Sequence, residues 1–116
     1  MWRVETTSRY EAAALEFVKT HVQQFIVLMS NLHHYRFQLL AARNYSTVEA
    51  KYLHDEGNHV LSIDHQDAEP ELEQVYLYVF PDGPKYVLYL LAIGKASEKH
   101  ADIEYCKNTV AGLMRA

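Results

Sequence analysis

Leu15, Val18, Val22, Phe25, Met29 and Leu32 recur at steps of three or four residues, drawing one apolar stripe along about seven turns of helix. Ser8-Arg9-Tyr10-Glu11 opens the stripe in the form of a capping box, in which serine and glutamate side chains satisfy amides at a helix start. No Gly or Pro interrupts the pattern, so one long helix or two helices divided near Thr20-His21 fit equally well. "RFQLLAAR", from Arg36 to Arg43, predicts a further helical piece.

The period then changes. Ser46-Thr47-Val48-Glu49 repeats the capping-box form, which suits a short helix over Thr47 to Asp55, while Tyr52 and Leu53 suit a strand equally well. "DEGN" signals a turn, and "HVLSIDH" after it alternates, predicting a half-buried strand with its apolar face on Leu61 and Ile63. "EQVYLYVF" and "YVLYLLAIG" flank "PDGPK", which predicts a hairpin turning at Asp82-Gly83. Both runs are apolar on both faces, as central strands covered from two sides must be. Beyond Gly94, Ser97 can cap a helix with the stripe Ile103, Cys106, Val110 and Leu113, and Arg115 suits its C-terminal end. The order predicts a single α+β domain over residues 1–116: N-terminal helices, a small antiparallel sheet with a central hairpin, and a C-terminal helix.

Composition narrows the function classes. A chain of 116 residues, 49% hydrophobic, can bury a core without a metal or disulfide. Its one cysteine, Cys106, excludes an internal disulfide framework, suits a reducing compartment and sits where packing is its natural role. Met1-Trp2-Arg3-Val4 lacks the features of a signal peptide, and the longest apolar run, Tyr86 to Ile93, is too short to span a bilayer as a helix. The expectation is a cytoplasmic protein with no membrane partner. The net charge of −4 is unevenly spread: residues 49–73 hold eight acidic side chains against Lys51 alone, a local net of −7. The chain therefore has no global attraction to phosphate, and any nucleic-acid contact must be a local patch.

Candidate chemistry is sparse. His54, Asp55, Glu56, His59, Asp64 and His65 carry zinc- or manganese-type donors, but their spacing matches no recognised site. His59 and His65 fall on one face of a strand, roughly 12 to 20 Å apart, too far to share an ion. No Gly-rich phosphate loop, G-x-S-x-G elbow or H-E-x-x-H is present, so nucleotide hydrolysis and serine-nucleophile catalysis lack a motif. "KHADIEY" places His100 and Glu104 four apart on one face of the last helix, a geometry that serves acid–base work or a plain surface pair.

"QVYLYVFPDGPKYVLYLLAIGKASEKHADIEYCKNTV" resembles the C-terminal half of the RelE/HigB-like toxin superfamily, including its YafO-type branch. Proteins of that family have a helical N-terminal part, a central antiparallel hairpin, and a strand ending in a Gly-Lys or Lys motif before a helix; the likeness in arrangement covers about residues 59–112, with the residue-level match mainly in the hairpin and "IGK". The resemblance implies a RelE-like α+β fold and the toxin component of a type II toxin–antitoxin system. It implies an antitoxin as partner and ribosome-associated mRNA as the target of a metal- and cofactor-independent endoribonuclease. Lys95 then stands in the place of a phosphate-contacting lysine, and Lys99, His100 or Tyr105 where the family keeps its later catalytic group. In such a reaction a ribose 2′-hydroxyl attacks the adjacent phosphate, so cations such as Lys95 and Lys99 must stabilise gathering charge while His100 moves a proton. Against this, the family is strongly basic and carries arginines on its central strands, whereas here no arginine lies between Arg43 and Arg115. The alternative is a non-catalytic interaction module offering the acidic 49–73 segment to a basic partner.

Overall fold

In the computed structural model, which describes residues 2–65 and 71–115, the two runs around "PDGPK" pair as antiparallel strands β4 (Val75–Asp82) and β5 (Val87–Lys95). They form the middle of a mixed sheet. Strand β1 (Arg3–Thr6) runs parallel to β5, while β3 (Val60–Ile63) and β2 (Leu53–Gly57) continue antiparallel beyond β4, giving the order β1-β5-β4-β3-β2. Helices α1 (Ser8–Thr20) and α2 (Val22–Ala41) follow β1, and α3 (Lys99–Arg115) follows β5. The domain is α+β, with three α-helices and five strands among the described residues.

The sheet separates two cores, and strand alternation decides which side chain enters which. Val75, Leu77, Val79, Leu88, Leu90 and Ile93 pack with Phe17, Leu28, Leu32, Tyr35 and Leu39 of α1 and α2. On the other face Tyr78, Phe80, Val87, Tyr89 and Leu91 pack with Cys106 and Val110 of α3. Each such fully buried aliphatic side chain stabilises the fold by roughly 1.5–3 kcal/mol relative to exposure, which is why both hairpin runs read as continuously apolar. The register slips between Tyr78 and Val79: Tyr78 faces Ala92 and Val79 faces Leu90, leaving Leu91 as the extra residue of a bulge. Alternation in β5 resets there.

Several local expectations change. The helical stripe breaks at His21, whose N–H closes α1 on Phe17 and whose carbonyl opens α2 by accepting from Phe25. The α1 cap lies one residue earlier than the capping box suggests: the Thr7 hydroxyl accepts from the Tyr10 amide, and Glu11 is held by Thr6 Oγ1 at 2.6 Å. The segment after Ser46 is no helix beyond a single 3₁₀ turn at Tyr45–Thr47, capped by Asn44, and Leu53–Gly57 is a strand. Strand β3 is covered on both faces, since Val60 and Ser62 are as buried as Ile63. The 3₁₀ turn Ala96–Glu98, with Ser97 inside it, precedes α3. Strand β1 makes the sheet mixed rather than purely antiparallel.

Candidate nucleic-acid interface

The bulge at Leu91 organises the start of α3. The Thr7 hydroxyl that caps α1 also donates to the Leu91 carbonyl at 2.6 Å, and the Thr7 amide donates to Leu90 at 3.1 Å, so the first turn of α1 is tied to the middle of β5. That tie aims Arg9 toward α3. Its guanidinium donates to Asp102 Oδ1 at 2.8 Å and lies over the Tyr105 ring, 4.3 Å from the centroid. Asp102 is buried, its other oxygen pressed against the backbone of Gly94.

One turn back along α3, the Lys99 ammonium repeats the arrangement. It stands 4.4 Å from the Tyr76 ring centroid and 3.5 Å from Glu56 Oε2 of strand β2. Glu56 is held in turn by the Ser62 hydroxyl, which donates to it at 2.6 Å. A cation–tyrosine contact with a carboxylate behind it thus occurs twice, at Arg9–Tyr105 and Lys99–Tyr76. Beneath them, Tyr78 Oη and Asp102 Oδ2 are buried with no hydrogen-bond partner among the described residues. Burial, reinforced by the charges of Asp102 and Glu56, drives the Tyr78 phenol well above its ordinary pKa, so it remains a protonated donor. Burial and then Asp102 push the Cys106 thiol up to about 12, despite Arg9, which removes it as a nucleophile.

The four residues singled out from the sequence are not brought into one hollow. Beyond the bulge, Ile93 joins the α1–α2 core, Gly94 meets Asp102 of α3, and Lys95 therefore returns to the α1–α2 face. There its charge helps hold the Glu73 carboxyl below the usual range, after the larger effect of the His21 hydrogen bond. Lys99 lies on the opposite side of the sheet, over Tyr76, whose cross-strand partner is Gly94. The sheet separates the two lysines. His100 points outward with its side chain 99% exposed, 3.7 Å from Glu104. Only Lys99 and Tyr105 belong to the paired stacks.

Sequence reasoning missed Arg9. Its guanidinium comes from α1 and meets a carboxylate ninety-three residues further along the chain, at Asp102. The one signal was the Thr6-Thr7 pair ahead of Arg9, which can cap the helix and reach the sheet together.

His21, His54 and His65 serve the fold. His54 Nε2 meets Asp64 Oδ2 at 2.5 Å, His21 Nε2 meets Glu73 Oε1 at 2.7 Å, and His65 Nε2 accepts from the Val75 amide at 3.0 Å. Among the described residues no group of three His, Cys, Asp or Glu side chains is placed to hold a metal ion. Parts of the acidic 49–73 segment are engaged internally, Glu56 with Ser62 and Lys99, and Glu73 with His21. Asp67 and Glu69 lie outside the described residues. No helix of the described residues is long and apolar enough to cross a membrane. No protein-family model matches the chain, and neither a curated protein nor a solved structure matches it.

Proposed function

We propose that this protein is the toxin component of a type II toxin–antitoxin pair, engaging single-stranded mRNA at the Arg9–Tyr105 and Lys99–Tyr76 stacks. The observation that carries this reading is the doubling of a cation on a tyrosine ring at the first turns of α3, at 4.3 and 4.4 Å. Single-stranded RNA is recognised by rings that stack bases and cations that meet the phosphates between them. The element order, with helices before a central hairpin and a Gly-Lys strand end before the last helix, supports the RelE/HigB-like arrangement.

The two cations have different roles in this reading. Arg9 is fixed by buried Asp102 and positions Tyr105. Lys99 holds Glu56 at 3.5 Å, longer than a tight charged hydrogen bond, so a phosphate can displace that carboxylate. For cleavage, Lys99 would stabilise the charge gathering on the phosphorane while His100, exposed on the outer surface of α3 beside Glu104, would exchange the proton of the 2′-hydroxyl or leaving oxygen. Lys95 takes no part in that step. The interaction-module alternative draws less support, because Glu56 and Glu73 already have basic partners within the chain.

The test is induced expression together with binding of a fluorescent single-stranded RNA. The reading expects growth arrest, weakened RNA binding in Lys99→Gln and Tyr105→Leu, and relief of arrest by His100→Ala with RNA binding retained. A wild type that neither arrests growth nor binds RNA at low salt overturns it.

A further inference from the structure

The apolar stripe only partly enters the core: Leu32 is buried with Phe25 and Met29 packed beside it, while its N-terminal half stays outside. Helix α1 turns Tyr10 and Phe17 toward the sheet, and leaves Leu15 66% and Val18 43% exposed, with Val22 at 49% and Ile26 at 61% just beyond the His21 corner. Leu15 and Val18 also line an open apolar groove between α1 and α2 with Tyr10, Ala14 and Phe25. Contiguous apolar surface of this kind marks an interaction site.

The charges beside it identify the occupant. Glu11 and Lys19 each lie four residues from Leu15, one on each side, on the same face of α1. Ala12 and Val18 each lie three residues from it, a small side chain on one side and a larger one on the other. A second α1 laid antiparallel, with a two-fold axis through Leu15, therefore sets Glu11 against Lys19 twice and fits each Val18 over the other copy's Ala12. A parallel arrangement would set Glu11 against Glu11. Opposite charges and unequal sizes placed symmetrically about one leucine make the face self-complementary, as an isologous contact must be, and a helix from an unrelated protein would need no such symmetry. Thr6 Oγ1, donating to Glu11 at 2.6 Å, already orients the carboxylate.

We propose that α1 is a homodimer interface, in which two copies pack antiparallel about Leu15 with reciprocal Glu11–Lys19 ion pairs. Neither the RNA reading nor its residues enter this inference, because Arg9 projects from a different side of α1, toward Asp102.

Sedimentation velocity over a concentration series tests it. The wild type should double in mass as concentration rises, and Leu15→Glu should remain monomeric. Lys19→Glu or Glu11→Lys alone turns two attractions into two repulsions, and should raise the dimer dissociation constant by roughly 10-fold or more. The double variant Glu11→Lys with Lys19→Glu restores opposite charges and should return dimerisation to near the wild-type level. Circular dichroism melting curves keep unfolded variants out of the comparison. A wild type still monomeric at ~1 mM overturns the proposal. So does a dimer indifferent to Leu15→Glu, or a charge-swapped variant that behaves like the single ones.

Discussion

Asp102 of α3 lies against the bare α-carbon of Gly94 in β5, with its Oδ2 in the space a β-carbon at position 94 would need. No left-handed backbone is involved, so the glycine is required for closeness alone. Gly94→Ala should force the carboxylate, and with it the first turns of α3, away from the sheet. Overpacking of this kind costs about 1–3 kcal/mol. Urea denaturation should show that loss, and an unchanged midpoint would mean the helix shifts freely and that the contact with Arg9 is not tightly fixed.

The Arg9–Asp102 pair is asymmetric: the guanidinium is about half exposed, the carboxylate buried. Removing the cation strands a buried charge, whereas neutralising the acid leaves an arginine that water can solvate. Arg9→Met should therefore cost about 1–2 kcal/mol, less than the ~3–5 kcal/mol of a wholly buried pair because solvent screens the exposed partner. Asp102→Asn should cost less than Arg9→Met, and combining the two should recover part of the Arg9→Met loss. Equal and additive losses in denaturation curves would show that the pair is not coupled.

What could be read from the sequence follows from where each element finds its stabilising partner. The β4–β5 hairpin was legible because its Val, Leu and Tyr runs and its Asp82-Gly83 turn are adjacent in the chain. Strand β1 was not: Arg3–Thr6 is four residues long and mostly exposed, and becomes a strand only through pairing with Val87 to Leu90. Periodicity drew Leu15 and Val18 into one apolar stripe with Leu32, but it shows only that a face is apolar, not which surface covers it. The site was hidden for a related reason. Arg9 meets Asp102 only because Thr7 binds the bulge carbonyl of Leu91, and a bulge has no sequence signature in so uniformly apolar a strand. The same one-residue bulge sends Lys95 to the face opposite Lys99.

His59 occupies a position that favours glycine. Gly57 pairs with Val60 across a two-residue turn, and both intervening residues have positive φ, Asn58 at 51° and His59 at 68°. That is the pattern of the turn for which Asn-Gly is preferred. His59→Gly removes the left-handed penalty of an L side chain, gives back part of it as chain entropy, and forfeits a loose ring contact with Phe80 at 6.2 Å. The balance should be a gain of about 0.5–1 kcal/mol, read as a higher urea midpoint. A loss would show that the imidazole is held by more than its turn.

His65 should set the pH dependence of stability near neutrality. Its Nε2 accepts from the Val75 amide, which requires a neutral ring with the proton on Nδ1, and that atom has no partner among the described residues. Burial lowers its pKa, outweighing the opposing backbone hydrogen bonds at His65 and Glu73 and the charge of Asp64. The folded protein thus binds this proton less readily than the unfolded chain. Stability is fully present above the unfolded value near ~6.5 and falls as pH drops from there toward the lower folded pKa, below which the loss is constant. Glu73, held below the usual range by His21, acts in a separate and more acidic window: its contribution is present above the ordinary glutamate value and is lost as pH falls through its own lowered pKa. Melting temperature should therefore decline as pH falls below about 6.5. In His65→Gln, where an amide oxygen can accept from Val75 without titrating, that decline should flatten while the acidic loss remains. An undiminished decline in the variant would show that the titrating group is not His65.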